Sequence, residues 1–102
     1  MKPNHSRQLD ALGDPTRRAI VERLAKGPLP VGKLAAGFDI SRPAISQHLR
    51  ILKDAQLVAD ESAGTRRLYR LNPAGFDSLR AYFDKFWDHA VNAFKTKLEQ
   101  EP

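Results

Sequence analysis

The sequence predicts a mainly α-helical domain that carries one small β-hairpin, and three observations predict it. Apolar residues recur at three- and four-residue spacing in several separate stretches, the mark of amphipathic helices. Pro and Gly cut those stretches into short pieces before a single long one at the C-terminal end. Around residues 57–71 the pattern switches to strand, turn and strand. A chain of 102 residues fits one domain, spanning 1–102, and no internal repeat divides it.

The elements follow in order. Leu9, Ala11 and Leu12 mark a first short helix, about 6–12, ended by Gly13. Asp14-Pro15 starts the second, because an Asp oxygen accepts from open first-turn N–H groups and Pro at the first helical position has none to leave open. Ala19, Ile20 and Leu24 give it an apolar face, and Lys26-Gly27-Pro28 ends it. Pro30 opens a third helix with Leu29 as its cap, and Val31, Leu34, Ala35 and Phe38 form its buried side. Asp39-Ile40 is a short turn. Ser41 caps a fourth helix, with Arg42-Pro43 in its first turn and Ile45, Leu49 and Leu52 on one face. Residues 57–61 read as a strand, 62–65 as a turn and 66–71 as the returning strand, with Tyr69 and Leu71 on one face. Asn72-Pro73 caps the last helix, about 73–99, whose length is roughly 40 Å at 1.5 Å per residue.

Charge is distributed unevenly along this frame. Net charge is +5, with seven basic and four acidic side chains in residues 1–40, six and three in 41–70, and four and five in 71–102. A basic surface attracts polyanions, of which nucleic acid is the commonest. There is no Cys, so disulfides, thiolate metal sites and a Cys nucleophile are excluded. The N-terminus lacks the apolar run of a signal peptide, and no stretch approaches the roughly 18 apolar residues of a membrane span. No membrane role is expected, and a cytoplasmic protein is.

Residues 31–71 carry the functional signal. Two short helices (the pair spans about 31–55) and a basic-tipped hairpin at about 57–71 form the winged helix-turn-helix plan. On a helical wheel, Ile45, Leu49 and Leu52 cluster within about 60° and face the core. Pro43, Ser46, Gln47 and Arg50 fall on the far side, and Arg42 sits at the exposed N-terminal end. A recognition helix places such residues against base edges in the major groove. Gln pairs with adenine and Arg with guanine in bidentate fashion. The candidate DNA-binding set is Ser41, Arg42, Pro43, Ala44, Ser46, Gln47, His48 and Arg50, with Arg66 and Arg67 at the hairpin following the backbone or the minor groove.

The runs Asp14-Pro15-Thr16-Arg17-Arg18, Val31-Gly32-Lys33-Leu34-Ala35, 41–49 and 52–58, in this order, resemble the ArsR/SmtB family of bacterial repressors. Residues 64–71 resemble that family's wing, and the likeness covers about 9–71 and, more loosely, the last helix. The resemblance implies a homodimer in which the first and last helices pair, bound to double-stranded DNA at an inverted-repeat operator. It assigns the dimer interface to Leu9, Leu12, Phe83, Phe86, Trp87, Ala90, Val91 and Phe94. Metal-sensing members carry Cys near the third helix, or an Asp-x-His pair with further His or Glu on the last. Here Asp84 is followed two residues later by Phe86, and His89 has no second imidazole after it. The chain is similar instead to the metal-independent branch, so no metal ligand and no cofactor is expected, and the sequence names no inducer.

Other readings stand beside these. The basic residues at 42, 50, 53, 66, 67 and 70 are also compatible with an ordinary solvated surface. His48 is open to three roles: DNA contact, packing and metal ligation. His5 and His89 read as surface residues. The aromatic stripe on the last helix serves as core, dimer seam or ligand pocket. An architectural DNA-binding protein of low sequence preference and a protein-interaction module are the competing functions. An enzyme is not expected: there is no Gly-rich phosphate loop, and Ser46 and His48 lie about 160° apart around their helix, the wrong geometry for nucleophile and base.

Overall fold

The computed structural model describes residues 4–100. Of the span 1–102 read as one domain, residues 1–3 and 101–102 lie outside the described residues, and so does the start of the segment tested for a leader. The chain runs α1 (His5–Leu12), α2 (Pro15–Leu24), β1 (Leu29–Pro30), α3 (Val31–Ala35), α4 (Arg42–Asp54), β2 (Val58–Ala63), β3 (Arg66–Leu71) and α5 (Pro73–Gln100). This is the mainly helical, winged arrangement that the spacing predicts, with a long C-terminal helix.

Local chemistry sets most boundaries. The Asn4, Asp14 and Ser41 side chains each accept from a backbone N–H three residues on, which starts α1, α2 and α4. The motif at 14–18 does more than cap α2. Arg17 Nε donates to the Ala11 carbonyl at 2.7 Å and Arg18 Nη1 to the Leu12 carbonyl at 2.7 Å. Those are end-of-helix carbonyls that α1 cannot satisfy itself. The two arginines thus fasten the end of α1 to the start of α2.

Three boundaries differ from expectation. The cap of α3 is Pro30, not Leu29, and it makes no side-chain cap hydrogen bond. Leu29 and Pro30 instead form β1, which pairs antiparallel with β3 through Leu29↔Tyr69 and Pro30↔Leu68. The sheet order is therefore β1-β3-β2. Helix α3 ends at Ala35, so Phe38 packs from the following turn. The outer hairpin strand runs to Ala63, and the tip is only Gly64-Thr65, with Gly64 at a left-handed φ of 65°.

The core consists of Ala11, Ile20, Leu24, Leu34, Ile45, Leu49, Leu52, Ala55, Leu57, Val58 and Leu79. Each helix gives it one apolar face, and truncating a buried Leu or Ile here to Ala costs about 2–5 kcal/mol. Helix α4 ends in a reversal: Leu57 N–H bonds the Leu52 carbonyl at 3.0 Å and Gln56 N–H bonds the Lys53 carbonyl at 2.9 Å. Gln56 takes φ 62° there, a position usually held by Gly. Gly75 of α5 lies against this turn, and a Cβ on it would collide with the Gln56 carbonyl. The described residues extend 67 Å in one direction and 28 by 22 Å in the others, because α5 projects beyond the core.

Candidate nucleic-acid interface

Burial fixes the orientation of α4. Ile45, Leu49 and Leu52 are almost fully enclosed. On the other side Arg42, Pro43, Ser46, Gln47 and Arg50 are exposed, while Ala44 is half-buried. The Ser41 Oγ accepts from the Ala44 N–H at 3.2 Å, which leaves its hydroxyl hydrogen and a second lone pair to contact another molecule.

His48 does not share that outward face. Its Nδ1 lies 3.3 Å from Arg17 Nη1 and 4.0 Å from Asp14 Oδ2, against the start of α2. The Asp14 carboxyl is held below the usual carboxylate range, first by the Arg17 backbone N–H, then by the nearby Arg17 and His48 side chains. Of the three roles open to His48, this geometry supports packing.

The hairpin brings further cations beside α4. Arg66 lines an open groove with Lys33, Arg42, Thr65 and Arg67. Lys33 was not singled out by the sequence; an exposed lysine in a five-residue helix gives no signal until the wing folds beside it. The two wing arginines are not equivalent. Arg67 Nε bonds Asp60 Oδ2 at 2.6 Å and Nη1 bonds Ser62 Oγ at 3.2 Å. The other Asp60 oxygen receives Lys53 Nζ at 2.7 Å, from the last turn of α4. Lys53, and then Arg67, hold the Asp60 carboxyl below its ordinary range. Among the described residues, Arg42 and Arg66 have no ion pair.

The second candidate surface lies on α1 and α5. Only Gly75 and Leu79 of α5 are buried, with Phe76 and Tyr82 packing partly on the core. From residue 83 onward every described side chain is exposed. Phe83 is 49% exposed, Phe86 53%, Trp87 69% and Phe94 66%. Ala90 and Val91 lie in the same stretch, Leu9 is exposed on α1, and Leu12 is half-buried against the core. His5, read as a surface residue, is half-buried instead. Its Nε2 is 3.0 Å from Ser78 Oγ, and its ring stacks on Tyr82 at 4.4 Å, which ties α1 to α5. Phe83 and Phe86 meet Tyr82 edge-on. His89 is exposed. Among the described residues, no three His, Asp or Glu side chains are placed to hold a metal ion together. Nor, among them, is any helix long and apolar enough to cross a membrane.

Comparison with known proteins gives a consistent result. A family model described as a helix-turn-helix domain matches residues 12–61. The HTH-type transcriptional regulator Rv2034 of Mycobacterium tuberculosis is 54% identical over 95 residues, covering 93% of this chain and 89% of that protein. The arsenical resistance operon repressor of Escherichia coli is 41% identical over 89 residues, covering 86% of this chain and 73% of the repressor. Among solved structures, the homodimeric winged helix-turn-helix DNA-binding domain Mb0332 from Mycobacterium bovis, described as a possible ArsR-family transcriptional regulator, superposes with a TM-score of 0.65 at 28% identity. That match covers 94% of this chain and 81% of the Mb0332 domain.

Proposed function

The chain belongs to the ArsR family of helix-turn-helix transcriptional regulators, which are not enzymes, and from that premise we propose that it is a homodimeric repressor that binds an inverted-repeat operator in double-stranded DNA. One observation carries the reading. Arg42, at the N-terminal end of the polar face of α4, and the unpaired Arg66 of the wing line one groove. Gln47 and Arg50 supply base-edge donors and acceptors, Ser46 reaches a base or a phosphate, and the wing cation takes a phosphate.

Dimerisation follows from the second surface. A protomer that leaves Phe83, Phe86, Trp87 and Phe94 each about half exposed or more carries a run of exposed aromatics of the kind that marks an interaction site. A second copy covers Ala90, Val91 and these aromatics, with Leu9 and Leu12 beside them. The pair sets two recognition helices about one DNA turn apart, roughly 34 Å. The protein works in the cytoplasm and needs no metal, because neither a thiolate nor an Asp-x-His pair is present to sense one. Its own promoter is the first operator to try. A gel-shift titration with the DNA upstream of its gene, against a scrambled competitor of equal length, is the test. Equal affinity for both duplexes overturns the sequence-specific reading in favour of an architectural one.

A further inference from the structure

Asp60 is an unusual residue to find on a surface offered to a polyanion. Its side chain is 7% exposed, and each of its oxygens is taken by a different cation: Lys53 from α4 at 2.7 Å and Arg67 from β3 at 2.6 Å. The hairpin register explains how they meet. Asp60 pairs with Tyr69 and Ser62 with Arg67, so residues 60, 62, 67 and 69 share one face of the wing. Arg67 thus lies diagonally across from Asp60 and fastens to Ser62 as well. Lys53 closes the link, because it belongs to the helix whose outer face carries Gln47 and Arg50.

The arrangement has two effects. It ties wing to helix through an almost enclosed carboxylate, where both partners must keep their geometry or leave a charge unpaired. It also neutralises part of the positive charge of the wing and of the end of α4, while Arg42 and Arg66 stay unpaired. Phosphate contacts add affinity for any sequence, whereas base contacts discriminate. We propose that Asp60 is a positioning residue that determines specificity: it sets the wing against the recognition helix and withholds Lys53 and Arg67 from the phosphate backbone. The proposal rests on the DNA-binding reading above.

The experiment compares the wild-type protein, Asp60→Asn and the double variant Lys53→Gln/Arg67→Gln. Each binds two duplexes over a range of salt: the tightest one that the wild type selects from a randomised pool, and a random one. Circular dichroism melts check folding. Asp60→Asn frees two cations per protomer, so it binds random DNA several-fold more tightly, and the slope of log affinity against log salt steepens by about one unit for each phosphate gained. Its preference for the selected duplex falls by about tenfold, the size of one lost base contact. The double variant breaks the same link without freeing charge, so its preference falls as well but its grip on random DNA does not tighten. Should Asp60→Asn not fold, the double variant and Asp60→Glu decide, the latter keeping the wild-type salt slope. Equal weakening on both duplexes with an unchanged slope makes Asp60 merely structural and overturns the proposal. Equal tightening on both with preference retained overturns the positioning half. A wild-type protein that enriches no duplex sinks the sequence-specific reading instead, and the charge-withholding half is still read on random DNA.

Discussion

Gln47 and Arg66 are both exposed and both polar, yet they are expected to fail differently. Gln47 lies on the outward face of α4, and Gln47→Ala should cost about 1–3 kcal/mol per half-site on the operator and relax preference at one base position. Arg66→Ala should weaken operator and random DNA by similar factors and flatten the salt slope by about one unit per phosphate lost. Titration of both variants at several salt concentrations checks this, and an Arg66 variant that lost only preference would reverse the assignment. Two carboxylates give a pH dependence of stability. Asp14 and Asp60 both have folded-state pKa values below the ordinary 3.8. Their contribution is therefore full above the unfolded value and is lost as pH falls through the lower folded one. Denaturant melts from neutral pH down to pH 3 should show Asp60→Asn losing less stability on acidification than the wild type. The outward face of α4 was legible because three apolar residues at helical spacing leave only one orientation. Arg67 was not: its bond to Asp60 depends on a two-residue tip, and a slip of one residue in register would put the two on opposite faces.

Elements with strong local chemistry were the legible ones. Asp14, Ser41 and the Asn72-Pro73 pair announce three helix starts because capping is a short-range interaction. Strand β1 could not be read, since two residues have no period and exist as a strand only because β3 passes beside them. The turn after α4 was hidden for another reason: it places Gln where Gly is the usual signal. Gly75 shows its role only in three dimensions, where α5 crosses that turn. Gly75→Ala should destabilise the protein by about 3 kcal/mol or more, since the obstacle is backbone that cannot rotate aside. The stripe along α5 was visible as one continuous pattern, but it divides in the structure between Tyr82 and Phe83 into a half the core uses and a half it does not. Trp87→Ala with Phe94→Ala should therefore turn a dimer, present at about micromolar concentration, into monomer or aggregate. Sedimentation of the wild type as a monomer at that concentration would refute the assignment.

At the scale of the whole molecule, charge and donor chemistry bound what the protein senses. With no Cys and no cluster of metal donors among the described residues, zinc should shift operator affinity by no more than a few-fold. A loss of about tenfold or more at stoichiometric zinc, within the range of a true allosteric coupling and reversed by a chelator, would show that two protomers build a site that one lacks. The projecting half of α5 has a consequence for the life of the protein in a cell. Apart from the contacts of Phe83 and Phe86 with Tyr82 and the Arg80–Asp84 pair, all within α5, every described residue from 83 onward is exposed, and a lone helix of that length is marginal in water. In the proposed dimer a second copy shields this stretch, so a protomer without its partner should expose an aromatic-rich tail to proteases. Turnover should then depend on dosage, with freshly made chains at low abundance cleared fastest, and a pulse-chase at two expression levels that showed equal half-lives would refute it.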